Sequence, residues 1–199
     1  LNLIYWGVGN PNPDYFGDTR LGDNLYSNSL VALDADTGEL KWHYQFTPHD
    51  LNDWDSNHMP VLADIEWNGQ ERKVVMVGNR NGFFYVLDRV SGELLLGKPF
   101  TATTWAREIG ADGRPIVLND GSKGCLPDPW GGTNFMPPSF YPGLDLFILT
   151  ARETCATFVP EEPRYVTGQS SFGGVVFIDG EQGSGALRAL DVHTGELRW

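Results

Sequence analysis

Ala32-Leu33-Asp34-Ala35-Asp36-Thr37-Gly38-Glu39-Leu40-Lys41-Trp42 returns later in the chain as Ala189-Leu190-Asp191-Val192-His193-Thr194-Gly195-Glu196-Leu197-Arg198-Trp199. A looser copy, Val86-Leu87-Asp88-Arg89-Val90-Ser91-Gly92-Glu93-Leu94, lies between them and lacks the terminal Trp. In the two close copies the Asp and Thr side chains can bond nearby backbone, and Gly can take a positive φ, so the centre reads as a hairpin turn. The Leu and Trp on its far side begin the next strand. A repeat of about 50 residues suits four short antiparallel strands, hence a propeller blade or a solenoid coil. The gap from Gly92 to Gly195 is about twice that from Gly38 to Gly92, so a fourth unit with a worn motif is expected around Phe140 to Thr150.

Composition agrees with an all-β chain. Twenty-four Gly and 13 Pro interrupt the sequence at short intervals and leave apolar segments too brief for long helices. A hydrophobic content of 41% in 199 residues is enough for a packed core of one domain, residues 1–199. The net charge of −12 repels a polyanion, which argues against nucleic acid as a partner. The longest apolar runs, around Gly174 to Ile178 and Val74 to Val77, have strand length and fall far short of the roughly 20 residues that span a bilayer. Leu1 to Trp6 already reads as a strand and Trp199 ends a repeat, so the chain is expected to be a piece of a longer protein.

Only Cys125 and Cys155 are present, neither in a CxxC pair, which argues against zinc and thioredoxin-type chemistry. Composition leaves two readings open: two buried thiols, or one disulfide in an oxidising compartment. The segment Asp34-Ala35-Asp36-Thr37-Gly38 superficially suggests an EF-hand, but Gly38 stands at loop position 5, Glu39 at 6 and Gln45 at 12, so that reading fails. His43, His49 and His58 match no familiar zinc-ligand spacing.

Four polar turns remain. Gly7-Val8-Gly9-Asn10-Pro11 closes the first strand, and Thr47 to Asp55 is a dense acidic stretch containing Trp54-Asp55. Val77-Gly78-Asn79-Arg80-Asn81-Gly82 links two apolar strands, and Trp130-Gly131-Gly132-Thr133-Asn134-Phe135-Met136-Pro137-Pro138 forms a Gly/Pro-rich loop. Taken singly, each reads as a solvated turn.

Together with the repeat, these turns carry a resemblance. The motif ending in Trp42 and Trp199 is similar to the tryptophan-docking motif of the quinoprotein methanol and ethanol dehydrogenases, which use pyrroloquinoline quinone (PQQ). That resemblance implies an all-β, eight-bladed propeller of four-stranded antiparallel blades, of which this chain would supply about four. It implies oxidation of primary alcohols in the periplasm, with a c-type cytochrome as electron acceptor. By the same resemblance Asn10 becomes a calcium ligand through its amide oxygen, and Asp55, last of the Trp-Asp pair, becomes the general base and a further metal ligand. A hard cation prefers such oxygen donors. Arg80 and Asn134 become cofactor-binding residues, with Phe135 standing where Trp is usual. The family's disulfide brackets this same Asn loop, which makes Cys125 and Cys155 the implied pair. Lanthanide-using members carry a second Asp two residues after the base. Counted from Asp55 that position is Asn57, so calcium is expected over a lanthanide, although Asp53 could compensate.

Two rivals stand beside this reading: a non-catalytic periplasmic propeller scaffold with the same docking repeat, and a quinoprotein sugar dehydrogenase. The scaffold has no need of Asn10, Asp55, Arg80 and Asn134 together.

Overall fold

The computed structural model of the chain describes residues 1–118 and 125–199, with the side chains of 180–182 excepted. All regular structure among these residues is β, in four antiparallel sheets of sequential neighbours. The first holds β1 (Leu3–Gly7), β2 (Ser29–Asp34) and β3 (Leu40–Gln45). The second is a complete four-stranded meander of β4 (Val61–Trp67), β5 (Gln70–Gly78), β6 (Phe83–Asp88) and β7 (Leu94–Pro99). A two-stranded ribbon, β8 (Ala106–Ile109) and β9 (Pro115–Val117), precedes a third large sheet of β10 (Ser139–Tyr141), β11 (Leu146–Pro160) and β12 (Gly174–Asp191).

The repeated motif folds as one device three times. Asp34 Oδ1 accepts hydrogen bonds from the backbone N–H of Asp36 (3.1 Å) and Thr37 (3.0 Å), while the backbone N–H of Gly38 donates to Asp34 O at 2.8 Å. Asp88 Oδ1 does the same for Val90 and Ser91, and Asp191 Oδ1 for His193 and Thr194. The glycines that close these turns have φ of +73°, +81° and +73°, a region that side chains resist.

The alternation along β5 and β6 explains how the sheets stack. Val75, Val77, Phe83, Tyr85 and Leu87 pack with Leu30, Ala32, Trp42 and Phe46 of the first sheet and its exit. Val74, Met76, Phe84 and Val86 face the other way, onto Phe147, Leu149, Ala151 and Leu190 of the third sheet. A middle strand buried on both faces must be apolar there, and the buried stretches Val74–Gly78 and Phe83–Leu87 are, while the first half of β5, from Gln70 to Lys73, is polar and lies outside the stack. The Trp42 indole closes the first junction by lying over Gly92 of the next motif and donating from Nε1 to Arg89 O at 3.3 Å. Leu96, at the corresponding place in the second motif, approaches Gly195 of the third. Sheets stacked face to face and docked turn to turn are propeller blades.

The worn fourth unit expected around Phe140 to Thr150 takes a different place. Those residues form β10 and the start of β11, in the same sheet as the last motif. The doubled spacing comes from the β8–β9 ribbon, the loop after it, and the long β11–β12 hairpin, whose outer half continues past the blade as an arm.

Candidate functional site

Four turns at one end of the stacked sheets meet at a cleft of about 340 Å³ lined by Tyr15, Asp53, Asp55, Arg80, Pro129, Trp130, Val176 and Ile178. The turn after β1 is seated by Val8 N–H donating to Ser29 O (2.8 Å) and Asn28 N–H donating to Gly9 O (2.9 Å). Gly9 is needed for close approach, because a side-chain carbon there would collide with the Asp55 carboxylate. Asn10 comes next, and its backbone N–H donates to Asp55 Oδ1 at 3.0 Å. Its amide Nδ2 donates to Asp14 Oδ1 (3.0 Å) and Pro11 O (3.3 Å), which leaves the amide oxygen without a partner among the described residues.

The acidic stretch after β3 is shaped by Asp50. Its buried carboxylate accepts from the backbone N–H of Asn52 (2.9 Å) and Trp54 (2.8 Å) and from Asn28 Nδ2 (3.1 Å). Burial nevertheless pushes its pKa up to about 6, since desolvation outweighs those bonds. Trp54 is buried and donates from Nε1 to Asp128 O at 2.9 Å, locking the loop to the Asn134 segment.

Arg80 projects from the β5–β6 turn, which buried Asn79 and Asn81 hold through Ser56 Oγ (2.9 Å) and Tyr85 OH (2.9 Å). Its guanidinium pairs with Asp55 Oδ2 at 3.2 Å and donates to Asp53 O (2.9 Å), Pro129 O (3.4 Å) and, more weakly, Asn134 Oδ1 (3.5 Å). Its buried Nε has no partner among the described residues. Gly131 packs directly on the Arg80 stem and leaves no room for a side chain. Asn134 is nearly buried, donates to Trp130 O at 2.8 Å and accepts from Phe135 N–H. The disulfide between Cys125 and Cys155 is formed, with Cα atoms 4.6 Å apart, and ties the start of this loop to β11.

The structure therefore brings Asn10, Asp55, Arg80 and Asn134 into one constellation. Asp14 and Asp53, which the sequence gives no primary role, join it. Burial raises the Asp14 carboxyl above its usual range. Asp53 is pushed up to about 7, first by burial and then by the charges of Asp14 and Asp55, against the opposing pull of Arg80. No side-chain partner holds the Asp53 carboxylate among the described residues. Tyr15, Val176 and Ile178 also escape a reading of the sequence; the two aliphatics alternate on a strand, a pattern that marks a face without saying what it faces.

The donor set suits a hard cation beside an anionic acceptor. Three carboxylates, an unengaged amide oxygen and one guanidinium share a half-buried space, and a cation would relieve the mutual repulsion of the acids. Among the described residues, no group of three or more His, Cys, Asp or Glu forms a cage for a metal. The Asn10 amide oxygen and the Asp55 carboxylate are oxygen donors of the type a hard cation takes, fewer than such an ion needs.

Comparison with known proteins agrees with this geometry. The family profile of the glucose/ethanol/alcohol dehydrogenase PQQ β-propeller domain matches residues 1–100. The chain is 43% identical over 159 residues to a quinohemoprotein alcohol dehydrogenase of Comamonas testosteroni, covering 76% of this chain and 22% of that protein. It is 37% identical over 214 residues to the quinoprotein alcohol dehydrogenase PedH of Pseudomonas putida, covering 100% of this chain and 36% of that one. A solved europium-containing methanol dehydrogenase superposes with a TM-score of 0.93 at 30% identity, over 100% of this chain and 37% of its own. The chain thus spans roughly a fifth to a third of the length of the relatives it matches. A docking repeat, a stack of blades and a matching profile over the first 100 residues converge: the chain belongs to the PQQ-dependent glucose/ethanol/alcohol dehydrogenase β-propeller family.

Proposed function

We propose that the complete protein containing this chain oxidises primary alcohols with PQQ and a hard cation, and that the cleft between the four turns is one side of its active site. The observation that carries this reading is that Asp53, Asp55 and Arg80 line that cleft, with Asn10 hydrogen-bonded to Asp55 and Asn134 to Arg80 beside it. A non-catalytic scaffold would gain nothing from gathering these half-buried charges and amides. When bound, PQQ supplies the acceptor for the hydride leaving the alcohol carbon, and the cation makes that acceptor more electrophilic.

The chain's own residues divide the remaining work. Arg80 presents an unpaired Nε and a loosely held Nη2, donors suited to negative charge that develops on an oxygen in a dry site. Asn134 contributes an amide fixed by its own loop. Asn10 and Asp55 supply oxygen donors to the cation.

The family resemblance makes Asp55 the base, and the geometry supports a different division. Asp55 is tied at both oxygens, Oδ1 by the Asn10 backbone N–H and Oδ2 by Arg80. Asp53 lines the same cleft with its carboxylate free. A base needs an unengaged oxygen within reach of the hydroxyl proton, and Asp53 meets that condition better. Asp55 then acts as ion ligand and anchor. It also falls two residues after the base, where the resemblance puts the second carboxylate of lanthanide-using members. The preference for calcium argued from Asn57 lapses, and a trivalent ion becomes the better match to this acidic cluster.

In the complete PQQ-loaded enzyme, Asp53→Asn should lower kcat by about 10²-fold to 10⁴-fold with cation and PQQ retained. Asp55→Asn should lower metal content, measured by mass spectrometry, and should weaken a trivalent ion more than calcium. Near-normal turnover of Asp53→Asn, with Asp55→Asn inactive but metal-loaded, would return the base to Asp55. Full activity of both variants would overturn the functional reading. A c-type cytochrome as acceptor and a periplasmic location complete the proposal. The kinship with a quinohemoprotein supports the first, and the disulfide supports an oxidising compartment.

A further inference from the structure

The arm formed by the outer halves of β11 and β12 is long for a blade hairpin, and one of its faces is turned to the site. Cross-strand pairs share a face, and the register places Ala156 opposite Ile178 and Phe158 opposite Val176. Ala156 and Phe158 are buried, and the Phe158 ring lies 5.8 Å from that of Tyr15. Val176 and Ile178 line the cleft with Tyr15 and Trp130, facing the polar group of Asp53, Asp55 and Arg80. By strand alternation Val175 and Phe177 lie on the opposite face, away from the cleft; Ile178, 45% exposed, and Val175, 49% exposed, are distinguished by the face they occupy rather than by burial.

Two attachments fix the arm over the site. At its base, Cys155 is bonded to Cys125, and the backbone N–H of Ala156 donates to Cys125 O at 2.9 Å. Near its tip, Tyr15 N–H donates to Phe172 O at 2.9 Å, and Gly173 packs against Pro13 and Phe16. The arm is thereby held to the Asn134 loop on one side and to the turn after Asn10 on the other. A wall so tethered has a definite distance from the reacting groups.

We propose that this arm is the substrate-selecting wall, in which Val176 and Ile178, backed by Tyr15, contact the hydrocarbon part of the alcohol. The substrate class is then primary alcohols carrying an apolar chain or ring of several carbons, rather than methanol or a polyhydroxylated sugar. A sugar would leave its hydroxyls unpaired against aliphatic side chains, which costs more than the burial returns. Each methylene laid against such a wall is worth up to about fourfold in kcat/KM.

This inference rests on the dehydrogenase reading, and its test separates the two. In the complete PQQ-loaded enzyme, kcat/KM is measured for alcohols from ethanol to 1-hexanol, with PQQ content of every variant checked by absorbance. The wild type should gain about twofold to fourfold per methylene. Ile178→Ser should lower the hexanol-to-ethanol ratio about tenfold, Val176→Ser should lower it similarly, and Ile178→Val should keep most of it. Phe177→Ser, on the outer face, should leave the ratio unchanged. Alcohol oxidation with a ratio insensitive to Ile178→Ser, or equally sensitive to Phe177→Ser, overturns this inference alone. A PQQ-loaded enzyme that oxidises no alcohol overturns the dehydrogenase reading and this inference with it.

Discussion

Asp50 and His58, both buried, flank the Asp53–Asp55 segment in the chain, and they respond to pH in opposite senses. Asp50 holds the loop through its bonds to Trp54, Asn52 and Asn28, with its pKa raised to about 6. A carboxyl raised above its unfolded value binds its proton more firmly when folded, so its contribution to stability is greatest at low pH and is lost as pH rises through 6. His58 lies beside Thr133 and Asn134 with no well-formed hydrogen bond to either ring nitrogen. Burial, then the nearby charge of Arg80, lowers its pKa to about 4, against a small upward pull from the Thr133 backbone. The unfolded chain takes up that proton near pH 6.5 and the folded chain only near 4, so stability is lost as pH falls between those values. His58→Leu should remove this acid sensitivity. The difference in urea-unfolding free energy between variant and wild type should shift in the variant's favour by at most about 3 kcal/mol on going from about pH 7 to about pH 4. An unchanged difference across that range would show that His58 titrates normally. None of this is legible in the sequence, because a lone His or Asp in a polar loop carries no mark of its burial. The same limit explains Asp53: the Asp-Trp-Asp spacing is visible in the residues, but which carboxylate is tied and which is free depends on Arg80 and Asn10, distant in the chain.

At the scale of elements, the sequence says most through the turns. Asp, Thr or Ser, and Gly in a fixed order report purely local hydrogen bonds, so the three motif hairpins can be read from the residues alone. The course of the chain beyond each turn cannot, since a fourth unit rests on spacing, and spacing does not distinguish a blade from an insertion. The motif glycines separate local from docking energy. Gly38 has φ of +73° and open space around it, whereas Gly92 has φ of +81° with the Trp42 ring against it. Gly38→Ala should therefore cost only the left-handed backbone term, about 1–2 kcal/mol. Gly92→Ala should cost that and a further 1–3 kcal/mol, roughly, for forcing the indole out of its seat. Thermal melts of the two variants measure the difference, and equal losses would mean that Trp42 contributes nothing through this contact. The disulfide joins residues 30 apart in sequence, a separation whose closure constrains the unfolded chain by about 3–4 kcal/mol. Cys125→Ser with Cys155→Ser should lower stability by about that amount.

At the scale of the whole molecule, the distribution of apolar surface and the incomplete donor set bear on what these 199 residues can do alone. Ile4 and Trp6 on β1, and Phe177 on the arm, are exposed, and the indole of Trp199 is 57% exposed where its counterpart Trp42 is 9%. Ile4 and Trp6, two residues apart on the edge strand β1, share one face of it, and an exposed apolar pair of this kind suits a covering neighbour. The cleft has the same one-sided character. A hard cation takes about six or more oxygen ligands; the proposed assignment draws only Asn10 and Asp55 from this chain, and no group of three or more His, Cys, Asp or Glu forms a cage among its described residues. Without that cation, Asp14, Asp53 and Asp55 face a polycarboxylate cofactor with Arg80 as the compensating charge, and repulsion opposes binding. The isolated chain should therefore show no stoichiometric, tight PQQ complex in an absorbance titration, and should oxidise no alcohol. Adding calcium or a lanthanide at millimolar concentration should improve PQQ binding only modestly, because two protein donors hold an ion weakly. Tight one-to-one binding by these residues alone would show that the cleft is already complete, and that the surfaces around it serve some other contact.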